Sequence, residues 1–220
     1  METMYGYIFI KFSEAKFIDD MYQNEYLYFN KYSKFRDNNP GEKARFDPRE
    51  GNLTNTQARD LELTINLHGG NVKLGMGNNS SAQFCEHLKD TPLISCSLFS
   101  ALLTEGSNNI QVDERMRQFG DKALVILNHT TFWNMLDEAL INDEKWYKRD
   151  FLELYDPRIH NGKLSYFHKD VTYEYLNEYR IIKQVDNAVP TIVYLPGLRS
   201  ISMIADFDDI KEFTVNVSPK

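Results

Sequence analysis

Hydrophobic and polar positions divide the chain into short segments of changing period. Residues 5–12 (Tyr-Gly-Tyr-Ile-Phe-Ile-Lys-Phe) are aromatic and β-branched and predict an opening strand. Ser13 has the chemistry of a helix cap. Phe17, Ile18, Met21 and Tyr22 then recur at helical spacing across 14–23. Residues 26–29 predict a second strand. Residues 30–52 read as irregular, with a short helix at 32–35 and a turn-rich loop at 37–43. Leu61, Leu63, Ile65 and Leu67 alternate with polar residues. His68-Gly69-Gly70-Asn71 turns that strand back into 72–74, a β-hairpin.

Strands are also predicted at 93–98, 122–128, 148–155, 164–168, 178–185, 191–195, 201–205 and 213–217. The run Ala123-Leu124-Val125-Ile126-Leu127 marks a buried strand. Helical patterns cover 112–119, 171–177, 206–210 and a segment capped by Thr130 or Thr131 and running to 141. Phe132, Met135, Leu136 and Leu140 form the stripe of that last helix. Strands outnumber helices, connections are of hairpin length, and no regular βαβ alternation occurs. The expected class is α+β, a single domain over 1–220 whose sheet is mainly antiparallel, flanked by short helices.

Composition narrows the possible functions. The 220 residues are 42% hydrophobic and 13% aromatic, enough for a core and unlike a disordered chain. No apolar run reaches the ~18–20 residues of a membrane span, so no membrane partner is expected. Met1-Glu2-Thr3-Met4-Tyr5 begins no basic-then-apolar leader. Cys85 and Cys96 make no disulfide framework, which fits a reduced, cytoplasmic setting. The five histidines form no metal-binding pair, so no metal is expected. A net charge of −7 argues against duplex nucleic acid as the main partner. Many Tyr residues suit a protein partner.

Four segments carry candidate chemistry. Gly75-Met76-Gly77 lacks the third glycine and the helix of a dinucleotide fingerprint and reads as a loop. Phe46-Asp47-Pro48-Arg49-Glu50-Gly51 sets two carboxylates three apart. It reads as an Asp-Pro turn with Asp47 on backbone amides, or as an acidic pair that grips a ribose or a basic side chain. In Ser95-Cys96-Ser97, alternation sends both hydroxyls to one sheet face. Within the stretch from Tyr173 to Arg180, Glu178 and Arg180 share a strand face. They make either a structural ion pair or a glutamate that bonds a ribose hydroxyl and stabilises a cationic sugar. His129 and His168 read as turn and strand-end residues.

Together these segments resemble a widespread family of uncharacterised bacterial and phage domains. The matching residues are Tyr26-Leu27-Tyr28-Phe29, Phe46-Asp47-Pro48-Arg49-Glu50-Gly51, Ile94-Ser95-Cys96-Ser97 and Asn177-Glu178-Tyr179-Arg180-Ile181-Ile182. The layout is similar, more distantly, to ADP-ribosyltransferases, which bind NAD as substrate in a cleft of a split antiparallel sheet.

That resemblance implies an ADP-ribosyltransferase-like fold. It implies transfer of ADP-ribose to an acceptor or hydrolysis of NAD, in the cytoplasm of a bacterial or phage-infected cell and in phage–bacterium conflict. Glu178 matches the catalytic glutamate and Arg180 orients it. Ser95 and Ser97 match the Ser-x-Ser strand that positions the nicotinamide side. Asp47 and Glu50 close the cleft, and Tyr173 joins the NAD-binding set. Two positions depart from the pattern: Lys11 is the cation of the early strand, where an Arg is usual, and Leu176 replaces the first Glu or Gln of the Glu/Gln-x-Glu pair. The competing expectation is a non-catalytic module that captures a nucleotide or a protein in the same cleft.

Overall fold

The computed structural model describes residues 4–36, 47–59, 62–67, 70–75, 81–87, 91–141, 144–211 and 213–217. The 37–43 loop, Phe46, the turn residues His68 and Gly69, and Met76 and Gly77 lie outside that set.

In chain order the structure opens with β1 (Met4–Ser13), α1 (Ala15–Gln23), β2 (Tyr26–Lys31) and a 3-10 turn at Tyr32–Phe35. β3 (Asn52–Arg59), β4 (Glu62–Leu67), β5 (Gly70–Gly75), β6 (Ser81–His87), β7 (Leu93–Thr104) and β8 (Gly106–Asn109) follow. A 3-10 helix at Glu114–Phe119 leads to β9 (Lys122–Ile126), α2 (His129–Leu140), β10 (Tyr147–Phe151) and β11 (Glu153–Tyr155). Then come β12 (Gly162–Lys163), β13 (His168–Asp170), a 3-10 helix at Val171–Leu176 and β14 (Glu178–Gln184). The chain closes with β15 (Thr191–Tyr194), β16 (Ser202–Asp206), α3 (Phe207–Lys211) and β17 (Thr214–Val217).

The architecture is α+β. Eight strands form the principal sheet in the order β10-β14-β7-β1-β9-β16, with β2 joining β7 and β15 joining β2. Every pairing within it is antiparallel. β12-β3-β6, β4-β5 and β8-β17 are small antiparallel sheets, and β11-β13 is a parallel pair.

Alternation along the central strands feeds two apolar layers. On one face Phe9, Leu124, Ile126, Cys96, Leu98, Tyr179 and Ile181 pack under α1 and α2, through Ile18, Met21, Phe132 and Leu136. On the other, Ile8, Ile10, Phe12, Phe99 and Val125 pack against Met116, Leu176, Phe207 and Ile210. β9 is apolar throughout Ala123–Ile126 because both of its faces are covered.

Several local expectations need correction. The cap of α2 is Asn128, whose side chain accepts from the Thr131 amide, so the helix begins before either threonine. Ser13 closes β1, and α1 starts after Glu14 without a side-chain cap. The strand expected over 148–155 breaks at Leu152, whose amide donates to the Glu178 carbonyl. That bond is the last link to β14, and from Glu153 onward β11 pairs with β13 instead. Residues 164–167 form a turn rather than a strand. β3 and β6 were not expected, since their polar sequences lack apolar alternation. Phe17 does not join the buried stripe of α1: it is 48% exposed while Ile18 and Met21 are buried.

Candidate functional site

The site begins where the sheet changes partners. β7 pairs with β1 as far as Ile10↔Phe99, and with β2 from Asn30↔Ser95. Between those contacts the edge of β7 at Cys96, Ser97 and Leu98 has no paired strand among the described residues. An unpaired backbone carbonyl in such a place needs another donor. Lys11 supplies it: its Nζ donates to the Ser97 carbonyl at 2.9 Å.

A cleft of ≈ 450 Å³ opens at this gap, within the size range of small-molecule sites. It touches both apolar layers, through Met21 and Leu98 on one side and Phe12, Phe99, Met116 and Leu176 on the other.

The other edge of β7 carries the charged floor. Glu178 faces Phe99 and Arg180 faces Ser97 across the β14–β7 ladder. Ser95, Ser97, Glu178 and Arg180 therefore share one face, as alternation required. Asn177 fixes this register. It sits in the left-handed region (φ 40°), its carbonyl accepts from the Ser100 amide at 2.9 Å, and its Nδ2 donates to the Ser100 carbonyl at 2.5 Å. Asparagine tolerates that conformation better than most residues.

Two carboxylates and two cations close a ring. Arg180 Nε donates to Glu178 Oε1 at 2.8 Å, while its Nη1 and Nη2 hold Glu50 at 2.6 and 3.0 Å. Lys169 Nζ bridges the same pair, 3.2 Å from Glu50 Oε2 and 3.1 Å from Glu178 Oε2. Ser97 Oγ adds a 2.5 Å bond to Glu178 and the Tyr32 hydroxyl a 2.7 Å bond to Glu50. All four charged side chains are buried. Burial alone would push the Glu178 carboxyl up, but Arg180 and Lys169 outweigh it and hold it well below the usual carboxylate range. The same balance lowers Glu50. Both are ionised at neutral pH.

The turn holding Asp47 and Glu50 is tied to this floor from behind. Asp47 Oδ1 accepts from the Arg49 amide at 2.9 Å, an Asx turn. Arg49 reaches Asp170 at 2.9 Å, and Asp170 in turn caps the helix at Val171–Leu176 through the Thr172 amide. Burial, with the Glu50 charge added, raises the Asp47 carboxyl to about 6 despite Lys169.

Of the residues singled out in the sequence, Lys11, Ser95, Ser97, Tyr173, Glu178 and Arg180 line the cleft, and so does Leu176. Asp47 and Glu50 stand behind its wall, where Glu50 grips two basic side chains. Lys169 and Tyr32 escaped the sequence reading: Lys169 sits in a three-residue strand with no local signal, and Tyr32 in an irregular stretch.

Ser95 is 1% exposed, lines the cleft, and its Oγ has no hydrogen-bond partner among the described residues. A buried hydroxyl left so is a point at which a ligand group gains a bond. Among the described residues, no group of three or more His, Cys, Asp or Glu side chains is placed to hold a metal ion, and no helix is long and apolar enough to cross a membrane. No protein-family model, curated protein or solved structure matches the chain.

Proposed function

We propose that the cleft takes a pyrophosphate-linked dinucleotide of the NAD type as substrate, and that the protein transfers its ADP-ribose to an acceptor or to water. The observation that carries this reading is the make-up of the floor. An ionised, buried carboxylate, Glu178, lies at a break in the sheet. Lys11, Lys34, Lys169 and Arg180 line the same cleft, against Glu14 and Glu178 as its acids. Lys169 and Arg180 are balanced by Glu178 and by Glu50 behind the wall, so the excess of positive charge is that of Lys11 and Lys34 over Glu14, which in a chain of net charge −7 favours an anionic ligand. The change of partner along β7 also suits the split sheet of the ADP-ribosyltransferases that the sequence resembles.

In this reading the Glu178 carboxylate accepts a hydrogen bond from a ribose hydroxyl and faces the positive charge that develops on the sugar. The C–N glycosidic bond breaks and its electron pair leaves with nicotinamide, which becomes neutral. An acceptor nucleophile or water then bonds to the sugar carbon and releases its proton to solvent. Ser97 and Arg180 keep Glu178 oriented, and the free hydroxyl of Ser95 takes a polar group of the substrate. The resemblance, rather than the chemistry, points to a role in bacterial or phage-infected cells.

The test is nicotinamide release from NAD, read by mass spectrometry with purified protein. Glu178→Asp keeps the ring's charge and retracts the carboxylate by one methylene. Turnover should fall at least a hundredfold while the fold, followed by circular dichroism, persists. Unchanged turnover would remove Glu178 from the chemistry.

A second reading is capture without turnover. Leu176 on the cleft wall favours it, since the resemblance expects a target-activating Glu or Gln there. So does Glu178 itself, which already accepts from Ser97, Arg180 and Lys169 out of about four lone-pair sites. Thermal stabilisation by NAD with no released nicotinamide would support that reading.

A further inference from the structure

The charged floor accounts for the deep end of the cleft but not for its mouth, where two aromatic side chains stand half in water. Phe17 is 48% exposed on α1 between Lys16 and the buried Ile18, and Tyr28 is 42% exposed on β2 between the buried Leu27 and Phe29. Both line the cleft.

Their placement follows from the local folds. Tyr26, Tyr28 and Asn30 share one face of β2, and all three line the cleft. Asn30 is paired with Ser95 at the deep end. Tyr28 is two residues back, ~7 Å along the strand toward the mouth. Tyr26 is buried, and its hydroxyl is committed to Asp20 at 2.5 Å. Tyr28 therefore offers the free ring of this wall. Phe17 comes from a different element, and the Lys16 ammonium stands 4.7 Å from its ring centroid. Exposed aromatic faces lining a cleft whose charged lining is mostly cationic match a ligand that joins a planar ring to an anion.

We infer that Phe17 and Tyr28 form a stacking subsite for the purine base of a nucleotide, whose phosphates lie toward the lysines of the cleft. This rests on the nucleotide reading above and deepens it: the base held at the mouth is the one remote from the bond that breaks, while the nicotinamide end goes to Ser95 and Glu178. Stacking on an aromatic side chain is worth about 1–3 kcal/mol per base, or roughly five- to 150-fold in affinity.

The test is calorimetric titration of the whole protein and of Phe17→Ala, Tyr28→Ala, the double variant and Tyr28→Phe. The probes are ADP, nicotinamide mononucleotide and inorganic pyrophosphate. The double variant should lose at least tenfold in ADP affinity, hold the other two probes within about twofold, and melt near the parent temperature. Tyr28→Phe should bind ADP as the parent does.

Equal losses for ADP and pyrophosphate, an ADP loss below twofold, or no ADP binding by the parent would each overturn the subsite. A separate assay of NAD turnover keeps the two claims apart. If the parent releases no nicotinamide but ADP binding falls selectively in the double variant, the transfer chemistry fails and the subsite stands. If NAD is turned over with an unchanged KM in the double variant, the subsite fails and the chemistry stands.

Discussion

The two halves of β7 are built from the same strand and held by different physics. From Phe99 onward the strand lies against β1, and its neighbours Ile8, Ile10, Phe9 and Val125 fill apolar layers on both faces. There the backbone is satisfied by its ladder and the side chains by packing. Before Phe99 the ladder on one edge stops, a lysine replaces the missing strand, and four charges are buried beside it. Such a ring is poor at stabilising a fold, because desolvation consumes most of its Coulomb energy. An apolar patch of similar volume would serve stability as well. That four charges are buried here at little gain in stability fits the proposal that the cleft binds a charged ligand.

The largest effect that separates the two halves comes from removing one member of each. Phe132→Ala empties a fully buried site above Phe9 and should cost about 3–5 kcal/mol by urea unfolding, nearly the same at every pH. Arg180→Met should cost a similar ~3–5 kcal/mol at pH 7, because Glu178 and Glu50 then share Lys169 as the one remaining cation of the ring, with neutral donors from Ser97 and Tyr32. That loss should shrink as acid neutralises the two carboxylates, and Glu50→Gln/Arg180→Met should cost less than the sum of its single changes. A pH-independent loss in Arg180→Met would mean that the guanidinium acts by packing alone.

Next in size is a pH dependence of the charged half, with two opposing parts. Asp47 has a folded pKa of about 6 against an ordinary 3.8, so the folded state holds its proton more tightly. Its ionised form therefore costs about 3 kcal/mol above pH 6, a cost that fades as pH falls and is gone near 3.8. Glu50 and Glu178 are depressed, so their contribution is complete above 4.5 and lost as pH falls through their lower folded values. Stability should peak between about pH 4.5 and 6. Asp47→Asn keeps the acceptor for the Arg49 amide and should gain up to about 3 kcal/mol at pH 8 and nothing near pH 4. No gain at pH 8 would show that Asp47 is not held ionised at a cost.

The same division separates what the sequence made legible from what it did not. Central strands and both longer helices were readable because two apolar layers impose their periods: β9 as an unbroken run, α2 through Phe132, Leu136 and Leu140. Alternation also placed Ser95, Ser97, Glu178 and Arg180 on one face, and their meeting is a direct consequence of period two. It could not reveal the change of partner along β7, which depends on where β1 and β2 diverge in space. Nor could it find Lys169 and Tyr32, whose roles come from pairing 119 and 18 residues away with Glu50. β3 and β6 escape it for the same kind of reason: they pair with each other, and β3 also with β12, so their register is set by backbone pairing and by buried polar side chains such as Asn55 rather than by apolar alternation.

A smaller effect addresses the lysine in the gap. Lys11→Met removes the donor to the Ser97 carbonyl and should cost about 1.5–3 kcal/mol, the worth of a charge-assisted bond whose acceptor is left in the edge of the sheet. Lys11→Arg should recover most of it. Full stability in Lys11→Met would mean that solvent already satisfies that carbonyl and that the lysine belongs to the ligand alone.

The smallest effect is the sharpest test of how α1 divides its neighbours between core and cleft. The helical period assigns Phe17 and Ile18 to one apolar stripe, yet only Ile18 is buried. Ile18→Ala should therefore cost about 2–5 kcal/mol, whereas Phe17→Ala should stay within about 0.5 kcal/mol. A large aromatic side chain that adds nothing to stability, beside one that adds a great deal, is the pattern of a residue kept for a ligand. Should Phe17→Ala instead cost more than about 2 kcal/mol, the ring would be part of the packing of α1. Tyr28 would then be left without Phe17 as a second ring for a base at the mouth of the cleft.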